Sequence, residues 1–149
     1  METNQVPHLF LGGTCGENQW REDIVIPGLV SRGVDPALIF NPVVDDWNEE
    51  AQAREDELKR TTRYMLYVIA SPNPDGVSAN VSAYSLVELI MSLYDAPRRT
   101  VALFDTTGMA PHAAKAIKKS MQDLRQRFPH APIFSEYTAL LDWLAGELS

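Results

Sequence analysis

The feature that most restricts how this chain folds is an alternation: short apolar runs closed by turn residues, separated by stretches with helical spacing. His8 to Gly12 is apolar and ends in Gly-Gly, which predicts a buried strand running into a tight turn. Trp20 to Arg32 can bring Trp20, Ile24, Leu29 and Val30 to one helical face, with Pro27 predicting a kink or break and Gly33 a stop. Leu38 to Phe40 is a second short strand, closed by Asn41-Pro42. Glu49 to Thr62 is polar and rich in helix formers, acidic at its start and with Lys59 and Arg60 near its end, so an exposed helix is expected. Tyr64 to Ala70 is apolar on both faces, as a central parallel strand requires, and the Ser71-Pro72-Asn73-Pro74-Asp75-Gly76 run after it must be a loop.

The second half repeats the pattern. Tyr84 to Tyr94 places Leu86, Leu89, Ile90 and Leu93 at helical spacing, Thr100 to Phe104 is a fourth strand, and Pro111 to Phe128 is an amphipathic helix with a basic, solvated outer face. Ile133-Phe134 is a short fifth strand, and Tyr137 to Leu148 a closing helix with Leu140, Leu141, Leu144 and Leu148 on one side. Parallel strands need crossovers, and crossovers are right-handed, so this order predicts an α/β fold. The expected architecture is a doubly wound, flavodoxin- or Rossmann-like parallel sheet of about five strands with helices on both faces. The 149 residues fit one domain. Ligands of such sheets sit beyond the carboxyl ends of the strands, which singles out the Gly12 loop, the Asn41 to Trp47 loop, the loop after Ala70 and the start of the next helix.

Composition narrows the partners. A formal net charge of −7, with no Lys/Arg-rich patch interleaved with aromatics, argues against a nucleic acid polymer. The longest apolar runs, Met65 to Ala70 and Val101 to Phe104, are too short to cross a bilayer, and the first residues lack a signal-peptide core, so no membrane partner and a cytoplasmic location are expected. Cys15 is the single cysteine, and His8, His112 and His130 show no ligand spacing, so no metal site is expected.

Three places carry candidate chemistry. Gly12-Gly13-Thr14-Cys15-Gly16 lets a backbone approach a ligand and present N–H donors, but it has neither the G-x-G-x-x-G spacing nor the Lys of a P-loop, and a plain tight turn explains it as well. Asp45, Asp46 and Trp47, just past the second strand, offer acceptors for sugar hydroxyls and a flat face for a base; a helix cap followed by a packed Trp is the equal alternative. Glu88 lies in the apolar run Leu86-Val87-Glu88-Leu89-Ile90, where a charge must be paired, exposed at a cleft or kept for a purpose. Taken alone, a solvent-facing glutamate is the simpler reading.

A succession of motifs adds to this. Leu9-Phe10-Leu11-Gly12-Gly13-Thr14, Trp20-Arg21, Phe40-Asn41-Pro42-Val43-Val44-Asp45-Asp46-Trp47, Leu66-Tyr67-Val68-Ile69 and Ser85-Leu86-Val87-Glu88-Leu89, in this order, resemble the nucleoside 2-deoxyribosyltransferase-like family, particularly its small bacterial and phage-type members. The resemblance covers roughly the first two-thirds of the chain. It implies that Glu88 is the nucleophile that attacks the anomeric carbon of a 2'-deoxynucleoside, and that Glu55, or the adjacent Asp56, manages protonation of the leaving base. It also implies a nucleoside pocket lined by Gly12, Gly13, Thr14, Asn41, Asp45, Asp46 and Trp47, with Ser85 at the start of the nucleophile's helix. Ser82 stands where better-characterised members have an acidic residue, with Asp75 as the substitute within reach. The implied activity is N-glycosidic cleavage with transfer of 2-deoxyribose to another free nucleobase, without cofactor, in a homo-oligomer. The alternatives are an N-hydrolase of nucleosides or nucleotides and a non-catalytic nucleotide-binding module.

Overall fold

Strands β1 (Leu9–Gly13), β2 (Ile39–Phe40), β3 (Tyr64–Ile69), β4 (Thr100–Phe104) and β5 (Ile133–Phe134) form one sheet in the order β2-β1-β3-β4-β5, every neighbouring pair parallel. The computed structural model describes residues 6–43, 48–77 and 80–149. Both edge strands have two residues, so little unpaired backbone is presented at either edge.

Alternation along the strands assigns the two faces. Leu9 and Leu11 of β1, Leu66 and Val68 of β3, and Val101 and Leu103 of β4 point to one side, where α1 (Ile26–Ser31) and α5 (Tyr137–Leu148) supply Leu29, Leu140, Leu141, Leu144 and Leu148. Phe10, Met65, Tyr67, Ile69, Ala102 and Phe104 point to the other, covered by Leu58 of α2 (Glu49–Thr61), Leu89 and Leu93 of α3 (Ala83–Asp95), and Ala113 and Ile117 of α4 (Pro111–Arg127). The fold is therefore doubly wound α/β, with helices on both faces of an all-parallel sheet. The winding reverses between β1 and β3, the neighbours from which the chain leaves in opposite directions.

Two helical faces differ from the expectation. The first helix opens as a π-helical turn, Arg21–Val25, in which the N–H of Ile26 bonds to the carbonyl of Arg21, and Pro27 then sits in the first turn of α1 rather than breaking a helix. An i→i+5 turn takes one more residue per hydrogen-bonded turn than an α-turn. The residue stacked under Trp20 is consequently Val25, which is fully buried, while Ile24 and Val30 are exposed.

On α3 the buried residues are Ser85, Leu89, Ser92 and Leu93, whereas Ile90 is exposed beside Tyr84, Val87, Met91 and Tyr94. The serines let the helix approach the sheet closely. Ser92 Oγ lies 2.6 Å from Thr100 Oγ1, and Ser82 Oγ donates to Ser85 Oγ at 2.7 Å. Helix α2 begins where Asn48 Oδ1 accepts from the N–H of Ala51 at 2.8 Å, and it carries Glu49 and Glu50 in its first turn and Lys59 and Arg60 in its last. Among the described residues no helix is long and apolar enough to cross a membrane.

Candidate functional site

The loop after β1 is closed onto β3. Gly12 and Gly13 are the last residues of β1, in register with Tyr67 and Val68, and the N–H of Thr14 donates to Val68 O at 2.8 Å. Gly13 has φ +111°, and a Cβ there would lie 2.4 Å from Val68 O, so only glycine fits. Thr14 is fully buried: its Oγ1 donates to Ala70 O at 3.1 Å and accepts from Ala70 N at 3.0 Å.

Trp20 Nε1 donates to Thr14 O, and Arg21, also buried, donates to the carbonyls of Leu11, Gly13 and Thr14 at 3.0 to 3.1 Å. Burial lowers the Arg21 guanidinium from its ordinary value, but it remains a cation far from its titration range. Asn18 extends the clasp to the loop after β3, with Nδ2 donating to Ser71 O and its backbone N–H to Pro72 O. Thr14 thus uses its polar atoms within the protein.

Gly12 serves the opposite face. A Cβ on it would meet the Tyr67 ring at 2.7 Å, so the missing side chain is what lets that ring lie against the end of β1. Tyr67 forms part of the floor of a cleft of about 490 Å³ between α2 and α3. Glu88, from the second turn of α3, lines this cleft, and its Oε2 accepts from Lys59 Nζ of α2 at 2.9 Å; the side chains are 18% and 26% exposed. The Lys59 ammonium lies 5.4 Å from the centre of the Phe10 ring.

Glu55 is one helical turn before Lys59, close enough to feel both charges. Its carboxyl is raised above the ordinary value by burial, with Lys59 opposing and the charges of Glu88 and Asp56 adding to the rise. Burial alone would lower Lys59, yet the hydrogen bond and charge of Glu88 leave it raised. The Tyr67 phenol is pushed up by burial. A mostly covered carboxylate, its ammonium partner and a second carboxyl raised above its ordinary value are the components of acid-assisted nucleophilic chemistry.

Asp56 lines this cleft and Glu55 does not, and the remaining candidates lie elsewhere. Ser85 is buried against Ser82. Asn41 Nδ2 donates to Glu22 Oε1 at 3.2 Å, and its Oδ1 accepts from the N–H of Val43. Asp45, Asp46 and Trp47 lie outside the described residues. Asp75 lines a different and larger cavity of about 990 Å³, at the carboxyl ends of β4 and β5, together with Glu17, Asp23, Asp105, Glu136, Lys118 and Tyr137. There the Tyr137 hydroxyl is buried without a hydrogen-bond partner among the described residues, and burial followed by the charge of Asp105 drives it far above its ordinary value.

Reading the sequence misses Lys59, Tyr67, Asp105 and Tyr137 as site residues. Of these only Lys59 left a trace, its i,i+4 spacing from Glu55. Comparison of the chain with protein-family models, with curated proteins and with solved structures finds no match to any of them.

Proposed function

We propose that the chain cleaves N-glycosidic bonds and transfers 2-deoxyribose between nucleobases through a covalent glycosyl-enzyme on Glu88. The observation that carries this reading is the asymmetry of the two carboxyls. Glu88 is ion-paired to Lys59 at 2.9 Å, whereas Glu55, beside it, is held above its ordinary value by burial. A retaining displacement needs that division of labour. The Glu88 carboxylate forms a bond to C1', the C1'–N bond breaks, and its electron pair leaves with the base, which takes the Glu55 proton. A second base then attacks C1', gives its N–H proton to the Glu55 carboxylate, and releases Glu88 as carboxylate. A cleft of about 490 Å³ is within the size range of small-molecule sites.

The same reading includes a homo-oligomer. On α3, Tyr84, Val87, Met91 and Tyr94 are exposed, at spacings of three, four and three residues that read alike in both directions. An antiparallel copy would therefore meet the same stripe on its partner, as a two-fold contact requires. Tyr84 and Met91 also line the Glu88 cleft, so a second copy seated on the stripe would narrow its mouth.

A second reading, a nucleotide-binding module without turnover, is favoured by the larger strand-end cavity, which holds Asp75 and does not include Glu88. Incubation with a deoxynucleoside and a second free base separates the possibilities. Base exchange supports the transferase, release of base without exchange identifies a hydrolase, and binding with neither identifies the module.

A further inference from the structure

We propose that Lys59 is the positioning residue of the carboxyl pair: it anchors one oxygen of Glu88 so that the other attacks, and it leaves Glu55 as the member that carries the proton. This rests on the reading of Glu88 as nucleophile, and it assigns a role that neither the motif succession nor the charge pattern supplies.

The assignment comes from where the neighbouring cations point. Four of them surround the carboxyl pair. Arg21 is directed at the carbonyls of Leu11, Gly13 and Thr14, Arg99 at the carbonyls of Lys59 and Thr62, and Arg60 at Glu57. Among the described residues Lys59 alone is within ion-pair distance of Glu88. Its side chain is mostly covered, and the Phe10 ring lies beneath its ammonium, so the charge is confined to the Glu88 side of the cleft. Among the described residues the other ionisable groups facing the pair are Asp56 on α2, Tyr84 and Asp95 on α3 and the Tyr67 phenol on β3. None of these is a cation.

The anchored geometry has a chemical consequence. When Oε1 of Glu88 bonds to C1', Oε2 becomes the ester carbonyl, and the Lys59 ammonium that held it as a carboxylate oxygen still donates to it. No proton needs to move on Lys59. The proton for the departing base comes from Glu55, whose raised value suits a donor.

The test uses Lys59→Ala, Lys59→Met and Lys59→Arg in the full chain, with base exchange as the assay. Misplacing a nucleophile by about 1 Å lowers the chemical step on the order of 10²-fold. We expect Lys59→Ala and Lys59→Met to lose kcat by that order with KM changed by less than about threefold. Lys59→Arg should recover most of the loss, and added ethylamine should restore at least about tenfold to Lys59→Ala. An activity-independent measurement accompanies these: the Lys59 side chain, titrated by NMR at its Cε, should move to lower pH in Glu88→Gln.

Full kcat in folded Lys59→Met overturns the proposal. So does loss that neither Arg nor amine repairs, since that marks a purely structural role. A Lys59 titration unmoved by Glu88→Gln overturns it without recourse to activity. Absence of exchange in the wild-type chain, with the Lys59 titration still tied to Glu88, instead refutes the transferase reading and the positioning role together.

Discussion

At the end of β1, Thr14, Trp20 and Arg21 direct their polar atoms at backbone carbonyls of β1, of the loop after it and of Ala70 just past β3, and all three are buried. Across the sheet, Glu88, Lys59 and Glu55 are only partly covered, and they interact with one another rather than with the backbone. The first region is rich in polar groups, and at Thr14 both the hydroxyl and the carbonyl are engaged within the protein. The second keeps charges at a cleft, where a ligand can replace water around them. Density of polar residues is thus a poor guide to a site; what matters is whether their partners are the backbone or each other.

The sharpest way to break this contrast is Glu88→Ala. Loss of the nucleophile should lower exchange by at least about 10³-fold, with a stability loss on the order of 1–2 kcal/mol, because the pair it breaks is mostly covered and Lys59 is left unpaired. Glu88→Gln should behave alike. Full turnover in either variant removes the mechanism.

Arg21→Ala is the reverse case. It deletes three charge-assisted hydrogen bonds to buried carbonyls, of which Thr14 O keeps its bond from Trp20 Nε1, so a loss on the order of 3 kcal/mol is expected in urea denaturation. If Arg21→Ala were as stable as Glu88→Ala, the clasp would not be the structural half of the comparison.

Gly12→Ala connects the two regions. The new methyl would meet Tyr67 Cε1 at 2.7 Å and Cδ1 at 2.8 Å, and the ring is packed, so relief must come from tilting it towards the cleft. Overpacking of this kind costs about 1–3 kcal/mol. Turnover should fall together with stability, and Gly12→Ala with Tyr67→Leu should regain part of both. A variant that loses stability with unchanged kinetics would show that the Tyr67 ring does not shape the cleft.

How far the sequence reveals this depends on range. The strands are legible because each is a local apolar run, and even the two-residue β5 is announced by Ile133-Phe134. The inward face of the first helix is not, because an α-periodicity reading cannot foresee that a π-turn replaces Ile24 by Val25. Glu88 is legible as an anomaly, a charge within an apolar run. Its partner is not, since Lys59 is 29 residues away and reaches it only once α2 and α3 lie side by side. Tyr67 is hidden in the same way, as its place over Gly12 follows from the register of β1 with β3. The larger cavity escapes because it is assembled from five separate stretches of chain, none of which is unusual alone.

The smallest expected effect concerns Glu55 and separates the regions by pH. Its carboxyl titrates above the ordinary value of 4.5 in the folded chain, because burial penalises the charge there and not in the unfolded chain. As pH rises, the unfolded chain therefore releases this proton first, and the native state binds more protons between the unfolded and folded values. Stability contributed by the group is then fully present below about 4.5 and is lost as pH climbs through the folded value. Glu55→Gln, which stays neutral throughout, should lack this decline and so gain on the wild type across that window. The gain is small, since Glu55 is only partly buried and water screens its neighbours. Thr14→Val provides the contrast, because it removes a hydroxyl that does not titrate, and its deficit should be the same at every pH. Urea midpoints for the wild type and both variants from about pH 4 to about pH 7 make the comparison. A Glu55→Gln difference that stays flat would mean that burial does not hold this carboxyl up, and a wild type that gains on the variant as pH rises would mean that Lys59 pairs with Glu55 in preference to Glu88.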